Sequence, residues 1–158
     1  MSVIDIELAM KHLRAESEDQ DLVQSQLDGA EAAAMAYLNR SFYADQASLE
    51  AARLSAPTKR AAAVVDYDLS MLAAQAIEDA DQRLEAEADV RFVFAETLES
   101  VAKAARGMVV NKAIEAACLL KLGHLYANRE EVVSGTIATE LPLTSKSLLA
   151  PYRIGMGV

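Results

Sequence analysis

The stretch from Thr58 to Arg106 contains neither glycine nor proline, and this limits the possible folds more than any motif does. A chain without those residues has few cheap ways to reverse direction, so the stretch reads as long helix. Two apolar stripes at helical spacing agree with this: Val65, Leu69, Leu72 and Ala76, then Phe94, Leu98, Val101 and Ala105. Between them Glu78 to Asp89 is rich in acid, with Leu84 as its one large apolar residue. The expected arrangement is two helical arms joined by a solvated acidic stretch. They would form a hairpin that projects from the core and is available to a partner.

The flanking sequence is also helical in character. Asp5 is a natural N-cap for a short helix carrying Ile6, Met10 and Leu13 on one face. Ser17 and Gln20 have the spacing of a capping box. The helix they open runs to about Asn39 on a stripe of Val23, Leu27, Ala30, Ala34 and Leu38, with the small residues Gly29 to Ala34 allowing a close neighbour. A further segment is expected from about Gln46 to Leu54, and Pro57 suits the first turn of the next helix. Gly107 ends or kinks the long arm. Val110, Ile114 and Ala117, widened by Ala113, Ala116 and Leu120, then mark the best candidate for a core helix, running to Tyr126.

Beyond Asn128 the character changes. Val133, Ile137 and Leu141 fall on one side of an extended arm, and Pro142 and Pro151 bracket Leu148 and Leu149 in a short apolar hook ending at Tyr152 and Arg153. An arm this short and apolar stays wet unless it packs back or reaches a neighbour. Burying each large aliphatic side chain is worth about 1.5–3 kcal/mol. The fold class expected is therefore all-α, a small helical bundle with long central helices and a short extended C-terminal arm.

Composition closes off several functions. The chain has 158 residues, 53% of them hydrophobic but 5% aromatic, which suits closely packed helices in one domain. A net charge of −9 is the wrong sign for a free-standing nucleic-acid binder. Cys118 is the only cysteine, so no intramolecular disulfide can form, and its apolar neighbours make it a core thiol rather than a nucleophile. No apolar run approaches the roughly 18 residues of a membrane span, and Asp5 and Glu7 are wrong for a signal peptide.

Phosphate-binding loops, dinucleotide fingerprints, nucleophile elbows and zinc-type spacings are absent. His12 and His124, in separate segments, read as helix-surface or partly buried packing residues. Asp66 and Asp68, two apart on a helix, point in different directions and do not share one site. The acids from Glu78 to Asp89 lack the ordered spacing and turn glycine of a cation loop. The expectation is no catalysis, no metal and no cofactor.

Two blocks resemble a known family. The first is Val3, Asp5, Leu8, Ala9, Lys11, His12, Leu13 and Arg14, followed by Glu18, Asp19, Asp21 and Leu22, then Tyr37 and Arg40. The second runs through Ala117, Leu119, Leu120, Gly123, His124, Tyr126, Asn128, Arg129, Glu130 and Val132 to Glu140, Leu141 and Pro142, then Leu148, Leu149, Ala150, Pro151, Tyr152 and Arg153. In this order they resemble the head-tail connector (adaptor) proteins of long-tailed bacteriophages and prophages. Leu125 stands where such proteins often carry Trp, and Leu143 where an aromatic is common. Residues 44–106 read as an enlarged insertion in a single connector domain.

The resemblance implies a structural subunit, made in the host cytoplasm and placed at the head-tail junction of the virion. It would form a homo-oligomeric ring, dodecameric in the virion, below the portal protein. The ring would continue the channel through which DNA passes without sequence-specific binding, and would dock a tail-completion or stopper protein. Candidate interface residues are Tyr126, Arg129, Glu130, Val133, Ile137, Leu141, Pro142, Leu148, Leu149, Tyr152 and Arg153. Arg129 and Arg153 are expected to make charge-assisted hydrogen bonds within or between subunits. The alternative reading is a soluble helical-bundle binding or regulatory module without catalytic activity.

Overall fold

A computed structural model describes residues 2–128 and 143–155. The described fold is an all-α small helical bundle with six α-helices: α1 (Ile6–Leu13), α2 (Gln20–Leu38), α3 (Gln46–Gln75), α4 (Ala80–Ala105), α5 (Lys112–Ala127) and α6 (Leu143–Leu149). One short parallel pair accompanies them, β1 (Phe42–Tyr43) beside β2 (Met108–Val109). The chain divides into two compact units. Met1–Asp45 with Met108–Val158 form the first, and Gln46–Gly107, inserted into it, form the second.

In the first unit α5 packs against α1, α2 and α6. Its Ile114, Ala117, Cys118, Leu119 and Leu122 are buried among Val23, Leu27, Ala30, Ala34 and Leu38 of α2, with Ala9, Phe42 and Leu149 completing the core. The apolar stripe read on α2 is the buried one. On α5 the burial extends to Leu119 and Leu122, whereas Leu120 is exposed. Gly29 does not serve a close approach, since a side chain there would meet open space. At Gly123 a Cβ would stand 3.8 Å from the His12 side chain and 3.9 Å from that of Leu13, an ordinary packing distance.

Local chemistry sets the helix ends. The Asp5 carboxylate accepts from the Glu7 N–H at 2.9 Å, as its cap position predicts. Asn111 opens α5 by accepting from Ala113 and Ile114, each at 3.0 Å. Arg14 and Asn39 close α1 and α2 in the left-handed region. The expected capping box does not form. Ser17–Asp19 make a 3-10 turn, and α2 starts after Asp19 with no side-chain cap.

Glu31, 3% exposed, anchors the N-terminal segment. Its two carboxylate oxygens accept from the Val3 N–H at 3.0 and 2.9 Å, and Oε1 accepts from the Ile4 N–H at 2.8 Å. A buried carboxylate is tolerated when donors surround it, and this one ties the chain start to the middle of α2.

The second unit is a helical hairpin of α3 and α4. Pro57 lies inside α3 instead of opening a helix. It leaves one carbonyl without its helical donor, but Leu49 and Ala56, just before it, and Ala63, just after it, are buried, so packing carries the helix through. The turn is short. Asp79 caps α4 by accepting from Gln82 N–H at 2.9 Å; of the acids read as a joint, Glu78 and Asp79 lie in the turn and Asp81, Glu85, Glu87 and Asp89 lie on α4. The stripe expected on α4 is the covered one, with Val101 buried and Phe94, Leu98 and Ala105 half-buried, but the stripe expected on α3 is not. Ala56, Ala63, Ala74 and Val101 are buried, with Tyr67 against Phe94 at 4.6 Å between ring centroids, whereas Val65, Leu69 and Leu72 are exposed.

The apolar hook is helical, formed by α6 and a 3-10 turn over Ala150–Tyr152. The extended arm expected over 132–141 lies outside the described residues.

Two predictions follow from this architecture. Glu31→Ala strands two backbone donors and is expected to cost about 1.5–3 kcal/mol in urea unfolding, with Glu31→Gln losing less. An unchanged midpoint would show that the N-terminal segment contributes nothing. Because β1 runs parallel to β2, the connection must cross back along the pair, and replacing residues 46–107 by about a dozen glycine-rich residues is expected to leave a cooperatively unfolding first unit. An insoluble or molten product would count against its independence.

Candidate functional site

Described residues of the two sequence blocks meet in the first unit. The Tyr126 hydroxyl at the end of α5 donates to Asp19 Oδ2 at 2.6 Å, a short charge-assisted bond between positions 107 residues apart. At the other end of α2, the Arg153 guanidinium lies over the Tyr37 ring, 4.9 Å from its centroid. Arg40 Nη1 donates to the Tyr152 carbonyl at 3.3 Å, and the Ile154 N–H donates to the Leu38 carbonyl at 3.2 Å. The hook therefore grips its own chain.

This changes the role of several candidate interface residues. Leu149 is buried in the core, and Leu148 and Tyr152 pack against it while half-buried. Arg153 is exposed and, within the chain, makes a cation–π contact with Tyr37. Tyr126 is half-buried with its hydroxyl on Asp19. Arg129, Glu130, Val133, Ile137, Leu141 and Pro142 lie outside the described residues. Asp19 and Tyr37 were legible as block members but not as partners of Tyr126 and Arg153, because nothing in spacing pairs residues so far apart.

A cavity of about 330 Å³ opens between α2, α5 and α6, floored by Ala30, Ala34, Ala117 and Leu149. Lys121, His124 and Lys146 stand at its rim. Small residues on α2 leave this space. The hairpin carries a second hollow of about 280 Å³ beside Tyr67 and Phe94, lined by Asp66 and Asp89 but not by Asp68.

No family model, curated protein or solved structure matches the chain.

Among the described residues, no group of three or more His, Cys, Asp or Glu side chains is placed to hold a metal ion. No described helix is long and apolar enough to cross a membrane. His12 and His124 are both exposed, and His124 Nδ1 is 3.2 Å from the side-chain amide of Asn128.

Cys118 is buried in α5, and its thiol pKa is pushed from 9.0 to about 12, chiefly by loss of solvation and further by the Glu31 carboxylate, against a smaller opposing effect of Lys121. The thiolate form is thus disfavoured in the folded state. The stability this contributes is complete below pH 9.0 and falls as pH rises towards 12. A thiol reagent at about pH 8.5 is expected to leave the native chain unmodified and to label one thiol per chain after unfolding. Rapid labelling of the native chain would mean that α5 opens readily.

Proposed function

We propose that this chain is a structural subunit of the head-tail junction of a tailed phage or prophage. It assembles as a homo-oligomeric ring that docks on a portal, continues the DNA channel and receives a tail-completion protein. One observation carries the reading: the two blocks that resemble the connector family are joined in space by Asp19–Tyr126, Tyr37–Arg153 and Arg40–Tyr152. They fall together in one compact unit, and the sequence between them, which resembles nothing in that family, forms the other. The unusual order of residues in the second block then reflects contacts made at both ends of α2.

In this reading the hook residues act by shape. Leu149 and Tyr152, committed to their own core, fix the surface that a neighbouring subunit meets, and exposed Arg153 is held in place by Tyr37. The net charge of −9 suits a channel wall along which DNA slides, since basic walls bind phosphate tightly. No step of this role requires a bond to be made or broken, and the chain acts without catalysis.

The apolar cavity with its basic rim favours a second reading, a helical-bundle binding module for an acidic, partly apolar ligand. Light-scattering mass of the chain with and without a purified phage portal separates the two. A complex of defined stoichiometry with the portal, or a closed ring, is the expected result. A chain indifferent to the portal at every concentration would remove the connector reading and leave the binding module.

A further inference from the structure

The cavity between α2, α5 and α6 reverses the sign of the chain around it. The chain carries 24 acids and a net charge of −9, yet among the described residues no Asp or Glu lines this cavity. Every polar side chain on its lining can donate a hydrogen bond: Tyr37 from α2, Lys121 and His124 from α5, and Thr144, Ser145 and Lys146 from α6. Glu31, the buried acid of α2, is not on the lining, and both its oxygens accept from the Val3 and Ile4 N–H groups.

The lysines are unpaired. Lys121 and Lys146 are exposed, and neither forms an ion pair among the described residues. Arg153, stacked on Tyr37, adds a further positive charge beside the lining. The tautomer of His124 is set as well. The Asn128 side-chain nitrogen donates to the His124 carbonyl at 2.9 Å, and the same nitrogen lies 3.2 Å from Nδ1. Nδ1 is therefore the acceptor, and in the neutral ring Nε2 holds the proton. His124 thus offers an N–H donor even when uncharged.

The floor differs in kind, since Ala30, Ala34, Ala117 and Leu149 present apolar side chains. A volume of about 330 Å³, at roughly 30 Å³ per water-sized group, holds about ten non-hydrogen atoms. A bare inorganic anion leaves that floor in water, and a neutral hydrocarbon makes no use of the donors. A dianionic phosphate is commonly held by arginine forks or runs of backbone N–H groups, and no arginine lines the cavity. One singly charged head on an apolar tail matches both floor and rim. Repulsion from the net charge is screened beyond about 8 Å at physiological ionic strength, so the rim decides at contact.

We propose that this cavity binds a monocarboxylate with an apolar tail of about eight carbons, its head between Lys121, His124 and Lys146 and its tail on the alanine floor. The inference deepens the second reading, a binding module, by naming its ligand class, and it does not depend on the connector reading.

Titration calorimetry of the full chain with octanoate is expected to give one site with a Kd on the order of 0.1–1 mM. Octanol and octylamine are expected to bind at least about tenfold more weakly. Lys121→Glu with Lys146→Glu, both at exposed positions, weakens octanoate by about tenfold or more with helicity unchanged. Ala33→Leu, which fills the cavity from α2, abolishes binding and removes any effect of octanoate on the melting temperature.

Octanol bound as tightly as octanoate, or octanoate binding unchanged by the lysine substitutions, overturns the rim as the recognition element. Binding that survives Ala33→Leu overturns the cavity as the site. Octyl phosphate bound more tightly than octanoate overturns the monocarboxylate. Binding that appears only after Glu130, Glu131 and Glu140 are replaced by Gln overturns a free ligand and assigns the rim to the chain's own acids. An acidic amphiphilic peptide bound where octanoate is not overturns the inference but spares the second reading. Portal binding by the Lys121→Glu, Lys146→Glu chain, read by light scattering, tests the connector reading apart from both.

Discussion

The buried residues of α5 do not lie on one narrow stripe. Ile114, Ala117, Cys118, Leu119 and Leu122 spread over roughly 200° of the helix circumference at about 100° per residue. A helix of that kind must be surrounded, because burial on one side leaves the rest in water. In this chain α1, α2 and α6 surround it. Those helices come from both ends of the sequence, so enclosing α5 forces the N-terminal and C-terminal blocks together. The bonds between the blocks, Asp19 with Tyr126 and Arg40 with Tyr152, then fix the register of a contact that burial has already required.

The second unit meets a different limit. A hairpin offers each helix one partner, so a helix apolar on two faces buries one and leaves the other wet. Alanines win the seam because small side chains let helix axes approach closely, and the Tyr67–Phe94 pair fills the space that remains. Val65, Leu69 and Leu72 are the more hydrophobic set, yet they stay outside. Hydrophobicity per residue is therefore a poor guide to the buried face when only one face can be chosen.

That competition explains what the sequence could and could not reveal. Helices with a single apolar face were legible: the stripe of α2 from Val23 to Leu38 and the Asp5 cap of α1 emerge as read, as does Cys118 as a core residue. The seam of α3 was not legible, since periodicity identifies two stripes and cannot rank them. Local signals failed where tertiary contacts compete with them. Ser17 and Gln20 have capping spacing, but the chain forms a 3-10 turn there and Asp19 is spent on Tyr126. Pro57 reads as a helix start, but burial on both sides of it carries one helix through.

The hook shows the same effect in the candidate site. Two prolines marked out a short apolar hook, and its backbone is a helix that begins after one and tightens into a 3-10 turn at the other. Its apolar residues were legible as needing cover, and the cover is the chain's own α2 and α5. Interaction capacity in such a protein concentrates where the fold runs out of internal partners. Among the described residues the first unit satisfies Leu149, Tyr126 and Glu31 internally, whereas α3 keeps a charge-free stripe that no other described helix covers. A net charge of −9 opposes nonspecific clustering through that stripe by long-range repulsion. A partner that matches the stripe in shape still gains from burying it.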